Sequence, residues 1–85
     1  MRIEFTENGL EDYNYWAIND KKKFKRLIKV IENIIRTPFQ GIGKPEPLKN
    51  NLKGLWSRRL DIEHRIVYIV EDDKIVILQC RYHYD

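Results

Sequence analysis

The spacing of apolar residues changes character along the chain. Residues 2–5 alternate, with Ile3 and Phe5 on one face, which predicts a short strand. Thr6 follows as a candidate N-cap, because its hydroxyl can accept a bond from a free helix N–H. Leu10, Tyr13, Trp16 and Ala17 then recur at helical spacing and predict a first helix to about Ile18. Asp20 reads as the cap of a second helix. There Phe24, Leu27, Ile28, Ile31 and Ile35 form the clearest amphipathic stripe in the chain. Thr37-Pro38 ends it, since the residue before a proline avoids helical backbone angles. Residues 38–47, PFQGIGKPEP, contain all three prolines and two of the four glycines, so they read as a loop. Beyond them the pattern is β-like: residues 55–60, 64–70 and 75–84 predict three strands, the last two joined around residues 71–74. The expected order is β-α-α-β-β-β. This is an α+β domain with two N-terminal helices packed on one face of a twisted, largely antiparallel sheet.

Length and composition narrow the picture. The 85 residues, 42% of them apolar, suffice for one core, so residues 1–85 are read as a single domain. No stretch of about 18 apolar residues is present to span a membrane. The segment MRIEFTENG lacks the form of a signal peptide, so the expected location is the cytoplasm. Cys80 is the only cysteine, which rules out an intrachain disulfide and a cysteine cluster for zinc.

Charge adds a candidate ligand. Lys and Arg total 16 against 13 acids, a net +3, which is compatible with nucleic acid without requiring it. Lys21, Lys22 and Lys23 open the second helix, where positive charge opposes the helix dipole, and Lys25, Arg26 and Lys29 extend that surface. It is either a solvated face or a contact for phosphates. A second basic set, Lys44, Lys49, Lys53, Arg58, Arg59, Arg65 and Arg81, interleaves with Trp56, Tyr68, Tyr82 and Tyr84. Arginines fork onto phosphates and aromatic rings stack on unpaired bases, so this mixture suggests RNA, although Trp56 and Tyr68 also suit a core. Glu46 is stiffened between Pro45 and Pro47. His83 lies near the end, in RYHY, whereas His64 reads as structural or rim-facing. A carboxylate base, an arginine and a histidine acid suffice to cleave RNA without metal, and no carboxylates or histidines stand at metal-ligand spacing. Each residue also has an ordinary explanation.

The segments KPEPLK, WSRR, EHRIVY and CRYHY carry a resemblance that spacing alone does not. Through them, and along essentially the whole chain, the sequence resembles the YoeB toxins of bacterial toxin–antitoxin systems, in the RelE/ParE superfamily. The resemblance implies a cofactor-free, metal-independent endoribonuclease that enters the ribosomal A site and cuts mRNA there. It implies Glu46 as general base, Arg65 as phosphate stabiliser, His83 as general acid and Tyr84 as a further residue of the site. Lys49 and Arg59 match residues that bind or orient RNA, with Lys44 and Arg58 beside them. The implied partners are mRNA, the ribosome, a YefM-like antitoxin that displaces the C-terminal residues, and a second copy in a homodimer. DNA is reached only through the antitoxin complex. Asp85 departs from the pattern by following the terminal tyrosine, where its charge would favour a protonated His83. Two other readings share these residues: a non-catalytic binder that blocks translation or acts as a corepressor, and a gyrase poison of the related ParE branch.

The trio sets a geometric condition. Side chains alternate across a strand. A plain two-residue turn at Asp72-Asp73 pairs Arg65 with Cys80 and places Arg65 and His83 on opposite faces. Their cooperation therefore requires an odd-length turn or a β-bulge between them.

Overall fold

The computed structural model describes residues 1–83. Its first strand, β1 (Arg2–Phe5), runs into α1 (Glu7–Asn19), and α2 (Lys21–Arg36) follows after a single residue. Both expected caps are present. Thr6 Oγ1 accepts from Gly9 N–H at 3.0 Å, and Asp20 Oδ1 accepts from Lys23 N–H at 2.9 Å. The β-rich half comprises β2 (Glu46–Pro47), β3 (Trp56–Arg59), β4 (Arg65–Glu71) and β5 (Lys74–Gln79). The five strands lie in the order β1-β5-β4-β3-β2, antiparallel except for the parallel β1/β5 pair. This is the expected β-α-α-β-β-β plan with one addition. The KPEP part of the predicted loop contributes a two-residue edge strand, pairing Glu46 with Ser57 and Pro47 with Trp56.

The core lies between the helices and one face of the sheet. Leu27, Val30, Ile31 and Ile34 of α2 pack with Trp16 of α1 and with Ile66, Tyr68, Ile75 and Ile77 from the strands. The inner stripe of α2 is thus rotated slightly from the one read in the sequence: Val30 and Ile34 are fully buried, Ile28 only partly. On α1 the difference is larger. Leu10 and Ile18 face solvent, and Gly9 and Trp16 face inward. The reason is a close approach that only glycine permits: a Cβ at Gly9 would run into the Ile77 carbonyl of β5. Among the described residues no helix is long and apolar enough to cross a membrane.

The β4/β5 hairpin meets the geometric condition. Its turn is the two-residue one, with Glu71 opposite Lys74, but the register then shifts. Tyr68 pairs with Ile77 and Val67 with Gln79, leaving Leu78 as the extra residue of a bulge. The last strand ends at Gln79 rather than continuing as predicted, and Tyr82 takes a left-handed φ of 64°.

Gly9→Ala should lose roughly 1–3 kcal/mol in urea denaturation despite alanine's better helix propensity, because β5 backbone must move. A gain in stability would show that α1 does not press on β5 as described.

Candidate active-site cleft

Directly paired residues on antiparallel strands share a face. Glu46 lies opposite Ser57, Ser57 opposite Val67, and Arg59 opposite Arg65. Alternation along β3 therefore places Glu46, Ser57, Arg59 and Arg65 together on the sheet face away from the helices, while Trp56 and Arg58 face the core side. An open cleft of about 410 Å³ lies there, lined by Lys44, Pro45, Glu46, Pro47, Ser57, Arg59, Arg65 and His83. Three separated segments thus deliver the carboxylate, the guanidinium and the imidazole to one wall. Lys49 lines an adjoining hollow that shares Glu46 and Pro47 with the cleft. Tyr84 and Asp85, and with them the idea that Asp85 acts on His83, lie outside the described residues.

Arg58 requires a correction. Grouped with the RNA-binding residues by its place in WSRR, it is fully buried. Nε donates to Tyr68 Oη at 3.1 Å. Nη1 donates to Asn33 Oδ1 at 2.7 Å and to the Ile42 carbonyl at 2.9 Å. Nη2 donates to the Thr37 and Gln40 carbonyls at 2.6 and 3.1 Å. All the donors of the guanidinium are engaged inside the protein, so none is left for a phosphate. Burial pushes the Tyr68 phenol up against the opposing effect of Arg58, so it stays protonated and donates to the Pro38 carbonyl at 2.7 Å. Arg59 N–H adds a bond to the Gly43 carbonyl at 2.6 Å. The outcome is a loop folded around a buried cation, and the loop's far end carries Lys44 and Glu46.

Arg65 is fixed from the opposite side. Its Nη1 donates to the Asp61 and His64 carbonyls at 2.9 and 3.1 Å. That turn is organised by Asp61, whose Oδ1 accepts from the Glu63 and His64 N–H groups at 2.8 and 2.6 Å and whose Oδ2 pairs with Lys23. Burial pushes the Asp61 carboxyl up, but the Lys23 ammonium and the two backbone donors outweigh it and hold it at about 2.

The segment that brings His83 is held by aromatic and backbone contacts. Trp16 Nε1 donates to the Cys80 carbonyl at 2.8 Å, and Cys80 N–H donates to Asp12 Oδ2 at 3.0 Å. The Arg81 guanidinium lies 3.5 Å from the Tyr15 ring centroid and 4.5 Å from that of Tyr82. The Cys80 thiol is pushed up to about 12, first by burial and then by the Asp12 charge, so it is a packing group and not a nucleophile. Sequence reading missed Ser57, Asn33 and Asp61. The alternation within WSRR could have placed Ser57 beside Arg59, and Asp61 stands where an aspartate commonly starts a turn. Nothing local marks Asn33 as a partner of Arg58.

The comparisons agree on one family. Residues 5–84 match the family model described as YoeB-like toxin of bacterial type II toxin-antitoxin system. The chain is similar to the toxin YoeB of Streptomyces coelicolor, 57% identical over 99% of this chain and 100% of that one. Among solved structures it is similar to a YoeB/ParE toxin from Agrobacterium tumefaciens, with TM-score 0.95, 42% identity and coverage of 99% and 100%. It is also similar to the toxin chain in a heterotetrameric YoeB-YefM toxin-antitoxin complex from Staphylococcus aureus, with TM-score 0.90, 47% identity and coverage of 99% and 98%.

Arg58→Ala should cost roughly 3 kcal/mol or more in denaturant unfolding, because several buried carbonyls lose their donor, and Lys should not restore it. A loss below about 1 kcal/mol would contradict the buried-cation account. Because the folded-state pKa of Asp61 is depressed, its stabilisation is present above its ordinary value of 3.8 and is lost as pH falls toward 2. Asp61→Asn should therefore trail the parent protein by roughly 1–2 kcal/mol at pH 6, with the gap narrowing below pH 4. A gap of equal size at pH 3 and pH 6 would show that the charge of Asp61 is not what matters.

Proposed function

Since the chain belongs to the YoeB-like toxins of bacterial type II toxin–antitoxin systems, we propose that it is an endoribonuclease that cleaves mRNA in the ribosomal A site and so arrests translation. The observation that carries this reading is the meeting of Glu46, Arg65 and His83 in one cleft with Lys44 and Arg59 on its walls.

In the proposed reaction the Glu46 carboxylate takes the proton of a ribose 2′-OH. The oxygen attacks the adjacent phosphorus, and the bond to the 5′ oxygen of the next nucleotide breaks. His83, protonated, gives its proton to that leaving oxygen. The Arg65 guanidinium, fixed by the carbonyls of the turn before it, stabilises the negative charge that builds on the phosphoryl oxygens. Arg59, Lys44 and Lys49 hold the RNA backbone. The products are a 2′,3′-cyclic phosphate, or the 3′ phosphate formed from it, and a 5′ hydroxyl. The side-chain acid, base and cation are chemically sufficient for this step without a metal. Tyr84 joins the site by the family resemblance alone.

In this reading the ribosome aligns the scissile phosphate by holding the message while the toxin docks. Such a target places the protein in the cytoplasm. A YefM-like antitoxin is the proposed inhibitor, on the strength of the Staphylococcus aureus relative's complex with YefM. Its action on the residues after Gln79 would dismantle the acid's position without unfolding the sheet.

Glu46→Ala and His83→Ala should each slow cleavage of ribosome-bound message by at least about 100-fold while leaving ribosome association nearly intact. Mapping transcript 5′ ends after brief expression, and in vitro with and without ribosomes, reads this directly. Growth arrest at full strength by both variants would sink the nuclease reading. Transcripts left intact by the parent protein would point to the gyrase-directed alternative.

A further inference from the structure

His64 takes no part in the proton transfers above, yet it touches the segment that carries the acid. Tyr82 N–H donates to His64 Nδ1 at 2.7 Å. The next residue, Arg65, donates its own N–H to the Tyr82 carbonyl at 3.0 Å. Both backbone groups of Tyr82 are therefore gripped by consecutive residues at the start of β4. The gripped carbonyl belongs to the peptide bond that leads into His83. Tyr82 itself sits in left-handed backbone, with φ 64°, a conformation that an aromatic residue keeps only when its surroundings enforce it.

The imidazole is well held for this task. Its side chain is only 11% exposed. The ring lies edge-on to Trp16 at 4.9 Å between centroids and 5.9 Å from the Tyr82 ring. The Asp61 carboxylate fixes its backbone through the His64 N–H. To accept from Tyr82, Nδ1 must carry no proton, so the neutral ring bears it on Nε2, on the side of the Glu63 carboxylate at 3.7 Å.

We propose that His64 is a positioning residue for His83, fixing through the Tyr82 peptide where the general acid stands relative to Arg65. The proposal rests on the nuclease reading, in which His83 protonates the leaving oxygen. The catalytic phosphate clamp and the positioning of the acid then come from neighbouring residues, His64 and Arg65. A single turn, 61–64, sets both.

The test uses side chains that place a polar atom at different points. Asparagine puts its Oδ1 near the site of Nδ1, whereas glutamine puts its amide near the site of Nε2. Full-length His64→Ala, His64→Gln and His64→Asn are compared by Tyr82 amide exchange in NMR, by kcat and KM for cleavage of ribosome-bound message, and by thermal midpoint. Ala and Gln should lose protection of the Tyr82 amide and fall about 10- to 100-fold in kcat, with KM within about twofold, as expected for a misplaced acid. Asn should recover both the protection and most of kcat. Full kcat in the Ala and Gln variants with an unprotected Tyr82 amide would overturn the proposal. So would an equal loss in all three that follows the thermal midpoint, since that marks mere packing of the ring on Trp16. If the parent protein cleaves no ribosome-bound message, the nuclease reading fails instead, and the amide-exchange arm still decides whether His64 holds Tyr82.

Discussion

A buried cation without a carboxylate partner among the described residues organises the business end of this molecule. The Arg58 guanidinium is neutralised by the carbonyl dipoles of residues 37, 40 and 42, by Asn33 of α2 and by Tyr68 of β4. Removing a charge from water is costly, so the loop has little freedom to leave it. That constraint turns a Pro- and Gly-rich connection into an ordered strap from the end of α2 to the sheet edge. Lys44 and Glu46 lie beyond this buried charge, where the Gly43 carbonyl accepts from Arg59 N–H and β2 pairs with β3 to complete their placement.

The second fixed point is the register of β4 and β5. The Leu78 bulge changes the pairing between the turn and the end of β5, and the chain then departs from the sheet at Gln79. From there Trp16, Asp12, Tyr15 and His64 guide the last described residues, all through contacts with α1 or the 61–64 turn. The cleft is therefore assembled from a strap, a strand start and a tail, each held by different physics. A buried charge fixes the first, a capped turn the second, and aromatic and backbone contacts the third.

Much of this was legible in the sequence, for local reasons. The stripe of α2, the Thr6 and Asp20 caps and the β-branched strands follow from periodicity and capping chemistry. The need for an odd-length turn or a bulge follows from strand parity once Arg65 and His83 are placed in one site, and the bulge is the form found. What failed to show depended on distant partners. Leu10 looked like core until β5 pressed on Gly9. Arg58 looked like a phosphate ligand because an arginine's burial is decided by carbonyls 16 to 21 residues away, which no local pattern reveals. The edge strand at Glu46 was hidden by its prolines, which suit an edge position but read as loop. The roles proposed for Glu46, Arg65 and His83 rest on the family resemblance, since a lone glutamate, arginine and histidine announce nothing.

The proposed chemistry is attack by a ribose 2′-OH with Glu46 as base and His83 as acid. The most direct measurement replaces a single nucleotide of a ribosome-bound message, the one 5′ to the cut, by its 2′-deoxy form. This message should stay intact while the all-ribose message is cut to a 2′,3′-cyclic phosphate and a 5′ hydroxyl. Cleavage of the deoxy-substituted message at the same bond, or a 5′ phosphate on the downstream fragment, would contradict it.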